Sequence, residues 1–193
     1  LDKILTATGV DRQGQDMRLI EGERISVKNL LYGVLIASAN DAALVLAQNY
    51  PGGEKAFIQA MNKKAQGLHL NGTYFANSTG LDSDLNGRLL VDFSYTTALD
   101  LARLASWALK NPVFAEMIIV PKLTVTDVSG EIEHLLYNLN ELLGRVEGMR
   151  GIKTGWTEDA GECLVGFVEK NGRGVITVVL KSLDRFGETG RLI

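Results

Sequence analysis

Two hydrophobic rhythms divide this chain. Leu30, Leu31, Val34 and Leu35 recur at helical spacing, with Ser26 standing three residues before Asn29 at the head of the run. Ala43, Leu44, Leu46 and Ala47 repeat the pattern after Asp41, which is placed to cap a second helix, so Ser38-Ala39-Asn40 is a tight link between two apolar helices. Pro51-Gly52-Gly53 breaks the chain, and Ala56, Phe57, Ala60 and Met61 mark a third helix ending near Gly67. Ala98, Leu101, Ala102, Ala105 and Leu109 line a fourth from about Tyr95, which Asn111-Pro112 ends. Between the third and fourth, Asn71 to Leu90 is loop-like.

Further on, the period shortens. Ile118 to Val125, Ile132 to Leu136, Leu164 to Val168 and Val175 to Leu180 read as strands, the last two joined through Asn171-Gly172 as a hairpin. Leu1 to Thr8 reads as a short edge strand. Gly9 to Glu23 is polar and turn-rich, with Met17, Leu19 and Ile20 as its apolar points. The pattern predicts a mainly helical block over 28–117, an antiparallel sheet over 118–193, and the start of a helix in Phe186 to Ile193.

Composition narrows the classes. With 193 residues and 46% hydrophobic content the chain can bury a core. The net charge of −3 is mixed in sign along the sequence, so no basic stripe points to nucleic acid, and an anionic partner would be held locally. The single cysteine, Cys163, cannot form an internal disulfide and is expected as a small core residue. No apolar run reaches the roughly 18 residues of a membrane-spanning helix. His69 and His134 lack partners at metal-ligand spacing and are expected at the surface or in strands, so neither a metal nor a cofactor is expected. Asp82-Ser83-Asp84-Leu85-Asn86 reads as a solvated turn, and the Asn77-Ser78-Thr79 glycosylation pattern as coincidence.

The candidate chemistry lies in Gly151-Ile152-Lys153-Thr154-Gly155-Trp156, where a cation, a hydroxyl and a bare backbone stand at the head of the hairpin. Alone, Lys-Thr-Gly is a weak motif, arising by chance in roughly one chain of this length in forty. Ser38-Ala39-Asn40 alone reads as a helix stop. Together, in this order and context, they match elements of a known serine acyl-transfer set.

Five ordered blocks carry a fuller match: Ser38 to Ala43, Phe75 to Leu81, Asp100 to Ala102, Asn140 to Leu143, and Gly151 to Gly155. With these the chain resembles the serine D-alanyl-D-alanine carboxypeptidases among the low-molecular-mass penicillin-binding proteins. The resemblance implies an α+β, β-lactamase/transpeptidase-like fold, an antiparallel sheet with a helical subdomain. It implies removal of the terminal D-Ala from peptidoglycan stem peptides through an acyl-enzyme, sensitivity to β-lactams, and a place outside the cytoplasm. Any membrane attachment would lie outside these residues. Lys153 and Thr154 would bind the substrate carboxylate, Gly155 would let the peptide lie along the strand, and the Trp156 N–H would form half of an oxyanion hole. Ser38 would relay a proton to the leaving nitrogen, and Asn40 would hold the acyl side of the substrate.

One departure stands out: the sequence holds no Ser-x-x-Lys, the family's nucleophile and base. Lys3, 35 positions before Ser38, is too close to be that lysine. The expectation is an incomplete domain over 1–193, lacking the first strands, the nucleophile helix and the closing C-terminal helix, and inactive by itself. Two rival readings are a class A-like β-lactamase and a non-catalytic peptidoglycan-binding module.

Overall fold

The computed structural model describes residues 1–10, 13–82 and 93–193. Its first element, β1 (Ile4–Thr6), pairs antiparallel with β2 (Arg24–Ser26), and helix α1 (Val27–Tyr32) follows without a break. The Ser26 hydroxyl accepts the Asn29 N–H at 3.1 Å, so a strand residue doubles as the helix cap. A π-helical turn (Gly33–Ala37) leads to α2 (Asn40–Gln48). Asp41 does not cap α2. It lies in the first turn, fully buried, and its carboxylate accepts N–H groups from Met17 and Leu19 as well as Ala42.

Helix α3 (Gly53–Gly67) and α4 (Ala98–Ala108) follow the apolar periodicity, α4 capped by the Thr97 hydroxyl at 3.1 Å from the Asp100 N–H. Asn111-Pro112 ends α4 but also begins a helix that the periodicity does not suggest, α5 (Pro112–Ile118). Asn111 accepts the Val113 N–H and Pro112 fills the first turn, where its missing N–H costs nothing. Ile118 is accordingly helical, and the next strand starts later than expected, as β3 (Lys122–Thr126) paired with β4 (Glu133–Tyr137). Of the turn expected over 82–86, all but Asp82 lies outside the described residues.

The remaining strands, β5 (Met149–Thr157), β6 (Gly161–Lys170) and β7 (Arg173–Ser182), form an antiparallel sheet in the order β5-β6-β7. Asn171 and Gly172 both take positive φ, 53° and 72°, the conformation that a two-residue hairpin turn of matching twist demands. A seven-residue helix, α6 (Arg185–Arg191), follows, starting one residue before the Phe186 at which the pattern predicts a helix to begin.

Among the described residues three apolar clusters hold these parts together. Leu19, Ile25, Leu30, Ile36 and Leu136 join the N-terminal strands, α1 and the β3–β4 pair. Ala105, Ile118 and Ile152 bring α4 and α5 onto the three-stranded sheet. Leu142, Met149, Leu164 and Val168 pack with Phe186 of α6. His134, expected at the surface or in a strand, lies in β4 but points inward beside Leu136 and is 4% exposed, because β4 alternates and its core face takes both. Cys163 is half-buried and is not a core residue.

The middle cluster sets the start of β5. A Cβ on Gly151, whose φ is +128°, would sit 3.0–3.2 Å from Ile118, so the strand approaches α5 as closely as a bare backbone allows. Replacing Ile118 by alanine is expected to lower the unfolding free energy by about 2–5 kcal/mol, measured by urea denaturation followed by circular dichroism.

Candidate active site

Ser38 stands at the exit of the π-helical turn with φ 57° and ψ 33°. A left-handed conformation costs a non-glycine residue about 1–2 kcal/mol, and such strain collects at functional sites. Its local effect is to reverse the chain: the Ala39 N–H returns to the Gly33 carbonyl at 3.1 Å, and α2 sets off from Asn40. The hydroxyl is thereby held toward β5.

Lys153 meets it there, its Nζ donating to Ser38 Oγ at 2.6 Å and to the Thr154 carbonyl at 2.8 Å. An ammonium has three N–H donors, so one has no partner among the described residues and can serve a ligand. Burial lowers the Lys153 pKa from the ordinary 10.5 to about 8, and the Arg185 guanidinium pushes it the same way. Among the described residues no carboxylate forms an ion pair with either cation.

Arg185 was not singled out from the sequence. Its Nη1 donates to the Gly155 carbonyl at 3.0 Å, its backbone N–H donates to Glu162 Oε2 at 3.1 Å, and its buried Nε has no partner among the described residues. The hairpin register held the clue. Trp156 pairs with Glu162 and Glu162 with Ser182, so whatever follows Ser182 returns to the Lys-Thr-Gly end of β5.

Thr154 is buried opposite Leu164, and its carbonyl, not its hydroxyl, takes the Lys153 ammonium. Gly155 is exposed, and Trp156 is 63% exposed at the same end. β5 is the outer strand, so among the described residues its edge away from β6 has no sheet partner and can accept an extended peptide. Asn40 opens α2 with its backbone N–H on the Gln15 carbonyl at 2.8 Å and Nδ2 on the Gln13 carbonyl at 2.9 Å. The structure thus joins Ser38, Lys153 and the Thr154 backbone directly, and ties Asn40 to the segment before β2.

This arrangement is a cationic notch at the end of an open strand edge, with a hydroxyl already bonded to the cation. The family model described as D-alanyl-D-alanine carboxypeptidase matches residues 3–183. The chain belongs to that family. Among curated carboxypeptidases it is 34% identical to that of Streptomyces sp. strain K15, over 85% of this chain and 57% of the relative. It is 32% identical to DacF of Bacillus subtilis, over 92% of this chain and 44% of the relative. The crystal structure of the Streptomyces K15 DD-transpeptidase superposes with a TM-score of 0.87 at 31% identity, covering 100% of this chain and 78% of that one. The chain spans about half the length of these curated relatives. Among the described residues of this carboxypeptidase-family chain, no helix is long and apolar enough to cross a membrane.

The lowered lysine pKa has a signed consequence for stability. Between about 8 and 10.5 the unfolded chain keeps the Lys153 proton and the folded chain releases it. The unfolded state therefore binds more protons there, and stability gains a contribution that grows as pH rises through that window. Urea denaturation at several pH values is expected to show this positive slope in the wild type relative to Lys153→Met, which cannot titrate.

Proposed function

We propose that these residues form the substrate-holding part of a serine peptidase that removes the terminal D-Ala from peptidoglycan stem peptides, outside the cytoplasm. The observation that carries the reading is the 2.6 Å contact between Lys153 Nζ and Ser38 Oγ beside a second cation, neither cation ion-paired with a carboxylate among the described residues. A C-terminal carboxylate is the ligand this electrostatic arrangement lacks, and a charge-assisted hydrogen bond to the free Lys153 N–H would supply it. The Thr154 hydroxyl and Arg185 are assigned to the same carboxylate.

The peptide would lie along the outer edge of β5, where Gly155 leaves room. Its scissile carbonyl would then come to the Trp156 N–H, one donor of an oxyanion hole. We assign the attacking serine and its lysine base to a Ser-x-x-Lys segment outside these 193 residues. The serine oxygen adds to the carbonyl carbon of the penultimate D-Ala, and collapse of the tetrahedral intermediate breaks the peptide C–N bond. The leaving amine takes its proton through Ser38, whose oxygen accepts from Lys153 and whose own O–H is free to donate. Water then hydrolyses the ester, restoring the serine. Asn40 is placed to hold the acyl side. β-Lactams, with a carboxylate beside a reactive amide carbonyl, would enter the same way, and the ester they leave would persist.

Two measurements test this. A fluorescent penicillin is expected to leave the 193-residue chain unlabelled and to label covalently a longer form carrying the Ser-x-x-Lys serine; stable labelling of the 193 residues would remove the assignment of the nucleophile. By isothermal titration, a tripeptide ending in D-Ala-D-Ala should bind the 193-residue chain, and amidating its C-terminus or replacing Lys153 by methionine should each weaken binding at least about tenfold. Equal affinity for acid and amide would remove the carboxylate pocket.

A further inference from the structure

The segment from Gln13 to Glu23 contains no helix or strand, yet Met17 and Leu19 are 4% and 0% exposed. It is a strap fastened at both ends. Asp41 accepts the Met17 N–H at 3.1 Å and the Leu19 N–H at 3.0 Å. His134 Nδ1 stands 2.7 Å from the Met17 carbonyl, and its Nε2 stands 2.7 Å from Glu23 Oε1, all three residues being buried. Glu23 Oε2 accepts the Ile20 N–H at 3.0 Å, so the carboxyl group is tied down on both oxygens.

A carbonyl oxygen only accepts, so the hydrogen in the Met17 contact sits on His134 Nδ1. The second bond, to Glu23, fixes the plane of the ring and aims that N–H. This is how a carboxylate orients a histidine whose other nitrogen does the work. Both contacts are far from the Lys153 groove in sequence, but the strap they hold ends in the two carbonyls, of Gln13 and Gln15, that fix the side chain and backbone of Asn40. The bond to Gln13 takes one N–H of the Asn40 amide and so fixes the plane in which its carbonyl oxygen and second N–H lie. Fit is tight on the other side as well: a Cβ on Gly33 would come within 2.5 Å of Met17 Sδ.

We infer that His134 is a positioning residue for Asn40, acting through the Met17 carbonyl and the strap, with Glu23 as its orienting partner. The inference rests on the reading of Asn40 as a residue of the substrate site. A histidine that merely filled the core would leave the Asn40 amide indifferent to which ring nitrogen is replaced; a positioning histidine makes Nδ1 decisive.

The two nitrogens can be separated, because an asparagine amide reaches the Nδ1 position and a glutamine amide the Nε2 position. The test uses the 15N-labelled 193-residue chain and follows the Asn40 side-chain NH2 pair, assigned by its loss in Asn40→Asp. In His134→Gln the Met17 bond is lost, and the pair is expected to shift and to exchange with solvent about tenfold faster. In Glu23→Gln/His134→Asn the Met17 bond is rebuilt without stranding a buried carboxylate, and the pair is expected to stay within twofold of the wild-type rate. An unchanged pair in His134→Gln, or equal disturbance in both variants, would overturn the inference. Should His134→Gln fail to fold, Glu23→Gln/His134→Asn carries the test alone: an Asn40 pair disturbed there despite the rebuilt Met17 bond would overturn the inference. Adding a tripeptide ending in D-Ala-D-Ala to the wild type separates the two readings. If it shifts neither Asn40 nor Lys153 while the variants behave as stated, the strap stands and the carboxypeptidase assignment falls.

Discussion

A lysine ammonium packed against a serine hydroxyl, with no carboxylate among the described residues paired to it, is the constraint from which the rest of the molecule can be understood. A half-buried cation with no counter-ion among the described residues is a cost to folding, and here a second cation, Arg185, adds to it. The fold meets that cost with apolar packing beneath the sheet, where Ile118, Ile152 and Ala105 close one face and Leu164 with its neighbours the other. The return is a notch whose electrostatics is completed only by an incoming anion, so the energy withheld from folding becomes available for binding.

The two halves of the notch come from elements with opposite mechanical characters. β5 is the rim of a regular antiparallel sheet, its register pinned by pairs such as Thr154 with Leu164. Ser38 and Asn40 instead sit where a π-helical turn breaks into a left-handed residue and restarts as α2. Regular structure supplies the straight edge that a peptide needs. Irregular structure supplies the sharp reversal that brings a hydroxyl to it.

Much of this was legible in the sequence because it is local. The helix periodicities, the Ser26 cap, the Asn171-Gly172 turn and the Lys-Thr-Gly head of the hairpin are all written in neighbouring residues. What was missed is tertiary. Asp41 has the spacing of a cap but serves residues more than twenty positions earlier. Asn111-Pro112 is equally apt to stop one helix or start the next, and only the packing of Ile118 against β5 decides that it does both. His134 looked like any strand histidine because its partners, Met17 and Glu23, lie more than a hundred residues away. Arg185 was hidden because its importance depends on a register that returns the chain to β5.

Gly155 has a consequence of its own. Its φ is not among the positive values, and a Cβ there would touch only Cys163 Cβ, at an ordinary 3.8 Å. The protein's own architecture therefore has room for alanine at this position. A library sorted for folding alone would be blind to it, and any intolerance found there would report on the guest and not on the host.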